Sequence, residues 1–146
     1  MNETAATPLK TLLMTAHAVE ERLEAVLEPV GLSLAKFKVL AQLVAAGEPL
    51  PLRALADMSA CVRSNITQLM DRLEGERLVV RADDPRDRRS IRAELTAEGR
   101  ARHASAARAL DEAEREIFGG LTAAKRQSLL ELLGSLQVGT VAARTR

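Results

Sequence analysis

The stretch DDPRDRRSIR, residues 83–92, holds four arginines and three aspartates in ten positions. A solvated loop needs only polarity, which Ser, Gly or Asn would supply as well. Arginine is narrower in what it does. Its planar guanidinium presents five donors in a fixed fork and stays charged at any working pH, which fits it to phosphate oxygens and to base edges in a groove. Arg88 and Arg89 are expected at the tip of this run, with Arg86 beside them. A carboxylate is repelled by phosphate, so Asp87 is read as bracing an arginine fork, and Asp83 and Asp84 as shaping a turn.

A second set of side chains lies just upstream, in RSNITQLMDRLEGE, residues 63–76. Ile66, Leu69, Met70 and Leu73 make an apolar stripe at helical spacing, which turns Ser64, Asn65, Thr67, Gln68, Asp71 and Arg72 outward. These are short hydrogen-bonding groups near a helix N-terminus, where free N–H groups and the dipole favour an anion. Asn and Gln can pair a donor and an acceptor with adenine, and Arg63 at the helix start suits a guanine or a phosphate.

Both sets need elements to hold them. Apolar residues from Leu9 to Val30 recur at threes and fours, which predicts a long first helix stopped near Pro29 and Gly31. Ser33 caps a second helix whose buried stripe is Leu34, Phe37, Leu40, Leu43 and Val44, ended by Gly47. The segment EPLPL, residues 48–52, can hold at most a short edge strand. A short third helix runs to about Ser59, and the polar-faced helix follows. LVVRA from Leu78 and SIRAEL from Ser90 pair as a hairpin with the charged run between them. Thr96 caps a fifth helix, rich in alanine at 101, 104, 107 and 113, that Gly119 and Gly120 break. Thr122 caps a sixth whose leucines cover two faces, so some of that surface has to meet another subunit, the first helix, or both. The fold class is therefore mainly α with a small β-hairpin wing: a winged helix-turn-helix over residues 33–95, flanked by an N-terminal segment, 1–32, and a C-terminal one, 96–146, in one compact unit. Residues 1–7 and 140–146 read as frayed tails.

Bulk composition sets outer limits. The chain has 146 residues, 28% charged and 47% apolar, with Phe37 and Phe118 its only rings among Phe, Trp and Tyr. The formal net charge of +1 says little, but every basic residue from Arg53 to Arg115 is an arginine, while glutamates gather at 20–28 and 112–116. That distribution makes a local basic patch on a near-neutral protein. A single cysteine excludes an intrachain disulfide. No secretion signal is legible, and no apolar run approaches the roughly 20 residues of a membrane span, so the expected compartment is the cytoplasm and no membrane partner is expected.

The wing DPRDRRSIRAELTAEG, with Asp87-x-Arg89 and Leu95-Thr96-x-x-Gly99, together with the upstream SNITQLMDRLEGERLV, resembles the MarR-type regulators, the multiple-antibiotic-resistance repressor family. The resemblance implies a homodimer joined through the first, fifth and sixth helices, each subunit reading half of a palindromic operator in double-stranded DNA. It implies that Ser64, Asn65, Thr67 and Gln68 lie in the major groove and that Arg89 is the minor-groove arginine. It also implies a small-molecule effector pocket between the winged region and the dimer helices, with little aromatic lining here. One departure is EGERL, residues 74–78, where the family often has a basic residue and a glycine; Glu76 there lowers the positive charge.

Other residues invite other chemistry. Cys61, just before the polar-faced helix, is either a redox switch or a small turn residue. His17, Glu20 and Glu21, with His103 as a distant candidate, are either half a metal site or exposed helix residues, and the expectation is no metal and no cofactor. An enzyme finds no support in a glycine-rich phosphate loop, a His–carboxylate pair or a nucleophile motif. The two functions carried forward are a dimeric DNA-binding regulator, a repressor relieved by a ligand or oxidant, and a helical dimeric adaptor or antirepressor that binds protein, for which Glu76 and the modest net charge speak.

Overall fold

A computed structural model describes residues 6–58 and 63–137, with side chains in the second stretch from residue 65. Helix α1 (Pro8–Leu27) begins one residue before the expected start, because Thr7 Oγ1 accepts the Lys10 amide and Pro8 stands in the first turn. A 3-10 turn, Glu28–Val30, and Gly31 end it. Helix α2 (Leu34–Ala46) opens on Ser33, whose Oγ accepts the Lys36 N–H at 3.2 Å, and closes on Gly47 at φ 66°. Then come β1 (Leu50–Pro51), α3 (Leu52–Met58), α4 (Arg63–Gly75), β2 (Val79–Asp84), β3 (Asp87–Leu95), α5 (Ala97–Phe118) and α6 (Ala123–Gly134). The strands form one antiparallel sheet in the order β1-β3-β2. Pro51, which has no N–H to donate, sits on its edge strand.

Ile66, Met70 and Leu73 of α4 are buried with Val39, Leu40, Leu43, Leu55, Leu78 and Val79. Burying each of those three contributes about 1.5–3 kcal/mol, so the rotation of α4 about its axis is fixed and its polar face has to point outward. On α5 the buried small residues are Gly99, Ala106 and Ala113; of the alanines expected to approach another helix, Ala113 is buried, Ala107 half-buried, and Ala101 and Ala104 exposed. They recur every seven residues along a helix that packs against α1 and α2. By contrast, Leu9, Leu13 and Met14 on α1 and Leu130 and Leu132 on α6 are 62–67% exposed. These side chains therefore have no cover among the described residues.

Three local devices fix the wing. Leu78 N–H donates to Leu73 O and Arg77 N–H to Glu74 O, each at 2.9 Å, the paired bonds that end a helix with a left-handed residue. That residue is Arg77, at φ 61°, the one non-glycine with positive φ among the described residues. Thr96 then docks α5 on the same corner: its hydroxyl lies 2.7 Å from Arg77 O and 3.0 Å from Leu78 O, and its N–H donates to Leu78 O. The approach needs Gly99, where a Cβ would lie 2.1 Å from the Leu78 carbonyl oxygen. Finally Arg81 of β2 grips α4. Its N–H and Nε donate to Glu74 Oε2 at 3.0 and 3.1 Å, and its Nη2 reaches Asp71 Oδ1 at 2.7 Å. These hydrogen bonds hold the Glu74 carboxyl below its ordinary pKa.

On the far side of the core, His103 of α5 stacks on Phe37 of α2, with centroids 5.2 Å apart and planes 3° from parallel. Burial lowers the imidazole pKa below its ordinary 6.5.

Three outcomes are expected. Arg77→Gly should raise stability by about 1 kcal/mol, a gain of roughly 2–4 °C in Tm, because an L-residue in the left-handed region is strained. Arg81→Met should speed amide exchange in β2 and β3 while leaving α2 and the buried face of α4 protected. As the folded His103 pKa is the lower one, acid favours the unfolded chain. Its stabilising contribution is complete above about pH 7 and is lost as the pH falls through 6.5 and then the folded value. Chemical denaturation of His103→Phe should display a shallower loss of stability from about pH 7 to 5 than the parent.

Candidate nucleic-acid interface

Asn65, Thr67, Gln68, Asp71 and Arg72 are exposed on α4, opposite the buried stripe. Cys61 lies outside the described residues, as do the side chains of Arg63 and Ser64. Asp71 and Glu74, carboxylates on and beside that face, are engaged by Arg81. The surface left for a partner is accordingly the first turns of α4.

The wing tip is tighter than the arginine run implied. Asp83 pairs with Ile91, but the next β2 residue, Asp84, pairs with Asp87, so Arg88, Arg89 and Ser90 form a bulge on β3 with no register partner on β2. Such a bulge bends the strand and re-aims its side chains. Pro85 and Arg86 make the turn itself, with Arg88 and Arg89 on the strand beyond it. Asp84 Oδ1 accepts the Arg86 N–H and Asp87 Oδ1 the Arg89 N–H, both at 2.9 Å. Asp87 therefore braces the backbone of an arginine, where the sequence reading had it bracing a fork. Asp84 shapes the turn as expected, and its Oδ1 lies 3.9 Å from Arg92 Nε. Of the five arginines from Arg81 to Arg92, Arg81 and Arg92 face carboxylates of the fold, leaving Arg86, Arg88 and Arg89 exposed.

The two sets of side chains meet. A groove of about 470 Å³ runs between α3, α4 and the wing, lined by Arg53, Ile66, Thr67, Asp87, Arg89 and Ile91, among others. Arg53 was missed by sequence reasoning. It lies ten residues before α4, and nothing in its neighbours LPLRAL marks a partner. Arg81 was counted as part of the basic patch, since no local pattern announces a pairing across two elements.

The remaining sequence candidates disperse. His17 Nε2 lies 3.3 Å from Glu21 Oε1 on an open helix face, whereas His103 is stacked on Phe37. Among the described residues no cluster of three or more His, Cys, Asp or Glu could hold a metal ion. Glu76 forms an ion pair with Lys36 of α2, so its charge is countered locally. A cavity of about 520 Å³ between α1 and α2 is lined by His17, three glutamates, Lys38 and aliphatic side chains, with neither phenylalanine. Phe118 instead lines a cavity between α5 and α6. No single helix among the described residues is long and apolar enough to cross a membrane.

Comparison with known proteins converges on one family. Residues 32–91, which carry α2, α3, α4 and most of the wing, match the model of the MarR family. The homoprotocatechuate degradative operon repressor of Escherichia coli is 35% identical over 79 residues, 54% of this chain and 53% of that protein, so the match spans about half the length of that relative. The structure of the transcriptional repressor CouR bound to a 23-mer DNA duplex superposes with a TM-score of 0.82 at 32% identity, covering 92% of this chain and 94% of that one. CouR from Rhodococcus jostii RHA1 bound to p-coumaroyl-CoA gives a TM-score of 0.78 at 27% identity over 99% of both chains. A winged helix set between long flanking helices, matched along nearly its whole length by a repressor of this kind, identifies the chain as a member of the MarR family.

Proposed function

We propose that the chain is a homodimeric transcriptional regulator that binds double-stranded DNA sequence-specifically, a cytoplasmic repressor relieved by a small-molecule effector. The observation that carries this reading is that Thr67 on the polar face of α4 and Arg89 in the bulge of β3 line one groove. In it, Arg63, Ser64, Asn65, Thr67, Gln68 and Arg72 meet the major groove, and Arg86, Arg88 and Arg89 the adjacent minor groove, with Asp87 fixing the wing turn. A narrow A·T-rich minor groove concentrates negative potential and attracts arginine. The uncovered leucines of α1 and α6 supply the dimer surface, and two symmetric reading heads call for a palindrome.

That CouR is bound to a DNA duplex in one structure and to p-coumaroyl-CoA in another supports release by a ligand. Here Phe37 is engaged by His103 and the α1–α2 cavity is lined by three glutamates, His17, Lys38 and aliphatic side chains with no phenylalanine, which favours an effector that is not held between aromatic rings. The adaptor reading drew on Glu76, whose pairing with Lys36 gives that residue a structural reason. The chain is read as a non-enzyme.

Selection of bound duplexes from a random pool should return a palindrome with A·T-rich flanks and half-site centres about one helical turn apart. Recovery of no enriched sequence, with no salt-sensitive shift, would return the adaptor reading. On the selected operator, Arg89→Ala should cost about 1–3 kcal/mol, confined to one or two minor-groove positions. Unchanged affinity in that variant would remove the wing from the interface.

A further inference from the structure

Neighbouring major and minor grooves of a duplex are separated by one sugar-phosphate strand. With α4 in the major groove and the wing in the minor groove, that strand has to run through the concavity between them. The groove of about 470 Å³ lined by α3, α4 and β3 occupies that position. We propose that it seats the strand and that Arg53 on α3 is a phosphate ligand there, a contact that positions the duplex without reading its sequence. The inference rests on the DNA-binding function proposed above.

Charge and surface chemistry agree on this occupant. Arg53 is exposed on the groove wall, and among the described residues it has no hydrogen-bond or ion-pair partner. Asp87, the carboxylate that lines the groove, is turned onto the Arg89 amide. The neighbouring guanidiniums Arg81 and Arg92 face Asp71, Glu74 and Asp84. Among the described residues, Arg53 and Arg89 are therefore the cations facing the groove, contributed by α3 and by the wing. The rest of its lining includes Leu52, Ala56, Ile66 and the half-exposed Ile91, a carbon surface that suits deoxyribose faces flanking a phosphate. Phosphate contacts fix register and orientation, whereas base edges and groove shape carry sequence. Arg53 on this account sets the depth at which α4 and the bulge meet the duplex.

The test uses the full-length protein, the duplex selected from the random pool and a scrambled duplex of equal length, titrated between about 50 and 200 mM salt. Arg53→Ala should reduce the slope of log affinity against log salt by about 0.9 for each lost phosphate contact, and should weaken both duplexes by the same factor. Arg53→Lys should recover most of the slope, since charge alone is needed. An unchanged slope would overturn the proposal, as would a loss confined to the selected operator or a lysine variant that behaves like alanine with a lowered Tm. Inorganic phosphate that raises the Tm of the parent but not of Arg53→Ala, while leaving duplex affinity unchanged at matched ionic strength, would assign a free-anion site and overturn the seated strand. A parent protein that binds neither duplex would fail the function itself, a result separable from a parent that binds and a variant that matches it.

Discussion

The grip of Arg81 on Asp71 and Glu74 is the interaction on which the reading head depends. A helix and a two-stranded ribbon joined by a short corner have many relative orientations open to them, and only a narrow set would present both to one rigid partner. Three donors from a single residue, its backbone N–H included, land on two carboxylates one helical turn apart. Because those carboxylates project from the outward side of α4, the clamp ties the ribbon to the helix without disturbing the buried stripe beneath. The group is half exposed, so its role is to fix an angle more than to add stability.

A consequence is a sorting of charge that net composition hides. Five acidic residues of the winged region are placed against a cation or an amide: Glu74 and Asp71 on Arg81, Glu76 on Lys36, Asp84 on the Arg86 amide, Asp87 on the Arg89 amide. Their negative charge is directed into the fold, leaving a cationic rim formed by Arg53, Arg86, Arg88 and Arg89. A formal charge of +1 is thus compatible with a locally electropositive surface.

Much of this was legible in the residues because it is local. Ser33, Thr96 and Thr122 act as caps through bonds spanning three residues, and the stripe of α4 follows from helical period alone. What escaped was non-local. The Arg81 clamp joins residues seven and ten apart across two elements, and the bulge at Arg88–Ser90 is a matter of register, which composition does not encode. Alanine at many positions of α5 left its buried face undetermined, since small residues mark no phase by themselves; the approach to the Leu78 carbonyl chose Gly99, and the core cluster took Ala106. Arg77 is the opposite case, a residue whose type argues against the conformation it adopts, held there by the bonds on either side of it.

The near-contact of Gly99 with the Leu78 carbonyl makes the root of α5 a fulcrum. With no side chain to act as a cushion, backbone bears on backbone at the point where recognition elements and the longest helix join. From Gly99 to Phe118 the helix runs about 28 Å, so a tilt of roughly 5° displaces its far end by about 2.5 Å.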